Sequence, residues 1–167
     1  MHPAGVSAGR LIDGGSVVAG HEQAIAWGVE AGGLRLGVSM EGLNYARGAT
    51  PVSLKIFIGN VSAEKIQIVE TRILQEYDIE LTRDGGQRVA MTAEGLSALQ
   101  AAESPDAARR IVITIEPGSV REVRPPVLLS EWFHLEDAGS YTVRVSRKDW
   151  PGGEGRLVSG PVVFHIN

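Results

Sequence analysis

From Leu34 to the end of the sequence, large apolar side chains return at every second position. Leu34, Leu36, Val38 and Met40 share one parity, with Arg35, Gly37 and Ser39 on the other. Val52, Leu54, Ile56 and Ile58 repeat the pattern. So do Ile66 and Ile68, then Tyr77, Ile79 and Leu81, then Ile111, Ile113 and Ile115, then Tyr141, Val143 and Val145, and last Val162, Phe164 and Ile166. Successive side chains of a strand point to opposite faces, so each run offers one apolar and one wetter face. That pattern belongs to antiparallel sheets with one face on a core, not to parallel strands buried on both faces.

Turn residues fall between the runs. Arg47-Gly48-Ala49-Thr50-Pro51 precedes the second, Gly59-Asn60-Val61-Ser62 leads out of it, and Glu116-Pro117-Gly118-Ser119 closes the Ile111 run. Asp84-Gly85-Gly86 stands where a tight hairpin is needed, because Asp and Gly tolerate positive φ. The spacing predicts seven to nine short strands in an antiparallel β-sandwich over residues 34–167. Two segments break the rhythm. Thr92–Glu103, with Leu96, Leu99 and Ala102 three apart, predicts a short helix near 92–103 packed over a sheet edge. Arg147–Gly160 contains Trp150-Pro151-Gly152-Gly153-Glu154-Gly155 and reads as a long exposed loop.

Composition narrows the function classes. The 167 residues include no cysteine, which excludes disulfides, thiolate metal sites and a Cys nucleophile. Sixteen basic against twenty acidic residues, dispersed and netting −4, argue against nucleic acid or an anionic membrane surface as partner. No stretch approaches the roughly 20 apolar residues of a spanning helix, so membrane insertion is not expected. Residues 1–33 differ from the rest: eight glycines among small side chains form a Gly-rich N-terminal arm. Such a segment is either a flexible leader or an arm that docks on this domain or on another copy. In the second case Val17-Val18 and Ile25-Ala26-Trp27 supply an added strand, and the large ring of Trp27 favours that case.

Asp137-Ala138-Gly139-Ser140-Tyr141 has the D-x-G-x-Y spacing of the tyrosine corner of immunoglobulin-type domains, where the Tyr hydroxyl bonds back to the backbone upstream. Asp137, Gly139 and Tyr141 are therefore the fold-defining residues expected here. The position two after the Tyr, a disulfide cysteine in immunoglobulin domains, is Val143. Together with Tyr45-Ala46-Arg47-Gly48, Leu54-Lys55-Ile56-Phe57-Ile58-Gly59-Asn60-Val61-Ser62, Tyr77-Asp78-Ile79-Glu80-Leu81 and Asp84-Gly85-Gly86-Gln87-Arg88-Val89, these elements give a body that resembles bacterial immunoglobulin-like or fibronectin-like domains. The resemblance extends to the intracellular proteinase inhibitor family. It implies an immunoglobulin-like antiparallel sandwich of seven to nine strands, and proteinase inhibition as one activity.

No chemical motif is complete. His21-Glu22-Gln23-Ala24-Ile25 begins like a zinc-protease helix, but the second histidine position is Ile25. Ser62-Ala63-Glu64-Lys65 has serine–lysine spacing without the partner motifs of penicillin-recognising enzymes, and reads as a solvated turn. Glu76, Asp78 and Glu80 alternate on a strand and read as a solvated face. His2, His21, His134 and His165 are scattered. Asn60-Val61-Ser62 fits a glycosylation acceptor and would be exposed. Trp132 or Phe133 is expected in the core and Trp150 on the surface, as a partner contact.

These readings lead to a non-catalytic binding or structural module, with no catalytic residue, cofactor or metal. Its partner would be a protein or copies of itself, in a homo-oligomer or a filament joined through the arm (Val17, Val18, Ile25, Trp27). Proteinase inhibition is the alternative, and an enzyme with a site gathered from distant strands comes third. A signal removed ahead of the sequence would place the module in a secreted or cell-surface bacterial assembly. The absence of cysteine fits a cytoplasmic protein equally.

Overall fold

A computed structural model describes residues 24–104, 109–151 and 155–167. In chain order the elements are β1 (Ala26–Trp27), β2 (Leu34–Met40), β3 (Asn44–Tyr45), β4 (Ser53–Asn60), β5 (Ile66–Glu70) and α1 (Ile73–Glu76). Then come β6 (Tyr77–Arg83), β7 (Gln87–Arg88), α2 (Ala93–Glu103), β8 (Ile111–Ile115) and β9 (Val120–Leu128). The last are α3 (Leu129–Trp132), β10 (Gly139–Arg147), β11 (Leu157–Val158) and β12 (Val162–Ile166). The described chain is mostly β and its sheets are almost wholly antiparallel, as the alternation requires. No helix among the described residues is long and apolar enough to cross a membrane.

One sheet has the order β1-β2-β4-β9 and a second the order β3-β12-β10-β6-β7, with β11 also paired to β10. The registers carry the inward parity across each sheet: Leu36 lies beside Ile58, Val38 beside Ile56, and Met40 beside Leu54. On the second sheet Tyr141 lies between Arg83 and Phe164, and Val143 between Leu81 and Val162. The inward side chains of both sheets merge into one hydrophobic cluster. Burying an aliphatic side chain of this size contributes about 1.5–3 kcal/mol, and more than a dozen of them hold the layers together. The β6–β7 connection is the hairpin expected at Asp84-Gly85-Gly86. Gly85 and Gly86 sit at φ 77° and 94°, a region open to glycine at little cost.

A two-stranded ribbon, β5 with β8, stands apart from both sheets. Ile68, Ile113 and Ile115 enter the core from it, while Val69, Ile111 and Val112 face outward. The helix expected near 92–103 is α2. Its N-cap is Thr92, whose hydroxyl accepts from the Gly95 N–H at 3.1 Å. The packed face is not the leucine face: Leu96 is 50 % exposed, and the buried residues are Gly95 and Ala102. A Cβ on Gly95 would lie 2.3 Å from the Trp132 carbonyl oxygen, so α2 meets α3 backbone to backbone and leaves no room for a leucine there.

Of the arm expected over residues 1–33, residues 1–23 lie outside the described residues. From Ala24 onward the chain is built into the body. The Gly28 N–H donates to Leu36 O at 2.9 Å, and the Gly160 N–H donates to Ala26 O at 3.1 Å. β1 thus bridges one sheet to the β11–β12 connection of the other. Asn60 corrects a second expectation. It is 1 % exposed, with Nδ2 donating to Glu64 O and Ile115 O while Oδ1 accepts from Ser62. A side chain locked in this way is a turn brace and not an exposed acceptor.

Candidate functional site

Strand parity drives a charge into the interior of β10. Tyr141, Val143, Val145 and Arg147 share one face, and Arg147 is only 1 % exposed. Its guanidinium is satisfied on every nitrogen. Nε donates to Asp149 O at 2.8 Å, Nη1 to Glu70 Oε1 at 3.1 Å and to the Tyr77 hydroxyl at 2.9 Å, and Nη2 to Val69 O. The Tyr77 hydroxyl in turn donates to Glu70 Oε1 at 2.8 Å. Glu76 lies 3.8 Å from Nη2 and accepts from Thr71 Oγ1. Burial pushes the Glu70 carboxyl above the usual carboxylate range, against the downward pull of the Tyr77 hydrogen bond and Arg147. Buried charge survives only when paired and hydrogen-bonded, and here the pairing fastens β5, α1 and the start of β6 to β10.

That clamp fixes one wall of an apolar cleft of about 420 Å³. α1 contributes Ile73 and Leu74. α2 contributes Ala98, Ala101 and Ala102, spaced so that three small side chains lie on one helical face. β9 contributes Pro125 and Pro126, and α3 contributes Trp132. Arg72 and Arg124 stand at the rim, and among the described residues no carboxylate lines the cleft. Arg72 Nη1 donates to Ala101 O at 3.0 Å, which ties the α1 wall to the α2 wall. Trp132 is half-buried, and Phe133 takes the core position. Arg124 Nη2 donates to Glu122 at 2.8 Å, so the cleft offers an apolar floor to an apolar side chain and a rim whose guanidinium groups are each partly engaged within the chain. A wider hollow of about 980 Å³ over the β5–β8 ribbon is lined by Gly32, Ile66 and Pro151 together with Lys65, Gln67, Thr114 and Glu116. Lys65 and Glu116 there pair with each other at 3.4 Å.

The residues singled out in the sequence are scattered relative to this cleft. The tyrosine corner forms as spaced: the Tyr141 hydroxyl donates to Asp137 O at 2.7 Å, and Gly139 begins β10. Asp137 also accepts from Arg83 at 2.7 Å. Ile25 and Trp27 lie against Gly37 on the outer side of β2, with the Arg35 guanidinium 4.1 Å above the Trp27 ring. Within this chain, then, β1 covers its own sheet. Val17 and Val18 lie outside the described residues, as do His2, His21, Glu22 and Gln23.

Trp150 contradicts its expected exposure. It is 8 % exposed and part of the core cluster, because a Trp beside a Pro/Gly stretch still gains more from burial than from solvent. The acidic row is corrected as well. Glu76 ends a helix and turns toward Arg147, and Asp78 pairs with Lys148 at 3.2 Å and Arg156 at 2.6 Å. Ser62 Oγ bonds to Asn60 while Lys65 bonds to Glu116, so the serine–lysine spacing brings no pair together. His134 lies 3.0 Å from Glu136, whose carboxyl that hydrogen bond holds below its usual range, and His165 is exposed. Among the described residues no three His, Asp or Glu side chains converge as a metal ligand set.

Sequence reasoning missed Arg147, Glu70 and the cleft. The first two carried a signal: each continues the inward parity of its strand, Glu70 after Ile66 and Ile68, Arg147 after Val143 and Val145. The cleft carried none, since its walls come from four elements far apart in the chain. Set against known proteins, the chain matches no family model, no curated protein and no solved structure.

Proposed function

We propose that this chain is a non-catalytic protein-binding module on an immunoglobulin-like sandwich, with the α1–α2–β9 cleft as its contact site. The strand order supports the fold half of that reading. β2, β4 and β9 occupy the places of strands A, B and E, and β6, β10 and β12 those of C, F and G, with the tyrosine corner leading into F. The observation that carries the functional half is the cleft. A half-buried tryptophan and two prolines stand open beside three alanines, with two cations at the rim. Apolar concavities of this kind mark interaction sites, and Trp and Arg dominate binding hot spots.

The test uses an anionic apolar dye, anilinonaphthalene sulfonate, on the full chain. Its rings match the floor and its sulfonate matches Arg72 and Arg124. Ala101→Leu, which fills the cleft from an exposed helical position, should lower dye affinity at least tenfold without changing the circular dichroism. Equal dye binding by both proteins refutes the cleft as a contact site.

A further inference from the structure

We infer that two copies of this chain associate edge to edge through β8, so that their β5–β8 ribbons join into one four-stranded antiparallel sheet. Unpaired backbone groups along an exposed strand are a template for pairing, and folded proteins guard such edges with brevity, charge or proline. Among the described residues every other edge is guarded. β1, β3, β7 and β11 are each two residues long. β9 carries charged residues and Pro125-Pro126. The outer edge of β5 is engaged, since Val69 O accepts from Arg147 Nη2. β8 has no such protection. Ile111-Val112-Ile113-Thr114-Ile115 holds neither charge nor proline, and among the described strands it pairs with β5 alone. Ile111 and Val112 are 54 % and 63 % exposed.

The sequence of β8 is complementary to itself in one register. Opposed residues of an antiparallel pair either exchange both backbone bonds or turn both sets away from each other. Val69 lies opposite Val112 and turns its carbonyl to Arg147, so Val112, and Thr114 two residues on, present N–H and C=O to the free edge. A two-fold axis through Ile113 sets Val112 of one copy opposite Thr114 of the other, where the two exchange those bonds. The same axis brings Ile111 beside Ile115 and Arg110 beside Glu116 at both ends. Arg110, Val112, Thr114 and Glu116 are all exposed and share one parity, so these charge pairs form on the outer face. Arg110 has no ion pair among the described residues. Glu116 Oε1 meets Lys65 Nζ at 3.4 Å, which leaves Oε2 for the guanidinium of the second copy. A contact that uses the same strand on both copies closes at two and leaves no β8 edge open.

Sedimentation equilibrium of the full chain tests this. The average mass should climb from 17.8 kDa toward twice that value. One strand pair is a small interface, so the rise should fall between about 10 µM and 1 mM. Over the same range amide exchange at Val112 and Thr114 should slow. Val112→Pro removes a donor that the ribbon does not use and should hold the chain at monomer mass. Arg110→Glu opposes like charges at both ends and should weaken association about tenfold. Arg110→Glu combined with Glu116→Arg restores both pairs and should recover the parent's affinity. The charge exchange decides the matter even if the proline variant fails to fold. A parent that stays monomeric throughout, or that grows past two copies, overturns the proposal. So does a dimer indifferent to Arg110→Glu whose Val112 and Thr114 amides exchange at the same rate at every concentration.

Discussion

Arg147 shows how parity and chemistry compete at a single residue. A guanidinium is among the side chains least often buried, so composition alone assigns it to the surface. The alternation of β10 points it inward, and the fold follows the alternation because Glu70, Tyr77 and two carbonyl oxygens meet the nitrogens there. Removing one partner of such a cluster costs more than never having built it, because the remaining charge stays buried and unpaired. Arg147→Met should therefore lower unfolding free energy by about 3–5 kcal/mol in urea denaturation. Adding Glu70→Met should restore part of that loss. A loss below about 1 kcal/mol would mean that the network does not hold β5 and α1 in place. The charge at Glu70 was legible in the same way, as the last inward position of β5. Trp150 was not, because a Pro/Gly neighbourhood says how the backbone turns and nothing about where a ring ends up.

At the scale of elements, the strands were readable and their partners only in part. Periodicity located β2, β4, β5, β6, β8, β10 and β12, from apolar residues at alternate positions. It gave no access to α1, a single turn between β5 and β6, while β1 lies within Ile25-Ala26-Trp27, which the sequence offered as an added strand on grounds other than periodicity. β1 is held by close approach: a Cβ on Gly28 would fall 1.6 Å from the Val158 carbonyl oxygen, and one on Gly160 2.9 Å from the Trp27 carbonyl oxygen. Gly28→Ala should therefore push β1 off the β11 connection at a cost of at least about 2 kcal/mol, the range for overpacking against backbone. Hydrogen exchange should show the loss first at the Gly28 and Gly160 amides. Unchanged protection there would mean that β1 is not fastened at this point. Removing residues 1–30 would cut away β1 itself, so the extent of the separable arm is better probed by cutting before Ala24.

For the molecule as a whole, the sequence conveyed a two-layer β body and missed the cleft at its margin. A core follows from a repeating local pattern, whereas a cleft depends on where elements distant in sequence stop short of touching. All three tyrosines of the chain take part in that body, and burial raises each of their pKa values above the ordinary value of about 10. With the folded values raised, the folded state keeps these protons while the unfolded chain releases them. The contribution to stability is complete below about pH 10 and shrinks as pH rises beyond it. In an alkaline titration the tyrosinate absorbance should accordingly appear together with loss of circular dichroism. Ionisation near pH 10 with the fold intact would contradict the burial.

The position of β12 in the second sheet has a further consequence. It follows every other described strand in chain order, yet it lies between β3 and β10, with His165 beside Asn44 on one side and Ser140 on the other. A nascent polypeptide can pair β2 with β4 early, but that second layer stays unsealed until Val162–Ile166 have left the ribosome. A chain stopped inside this strand would leave β3 and β10 without the partner that lies between them and expose the product to proteolysis, whereas a break in an edge strand would leave the sheet's interior paired.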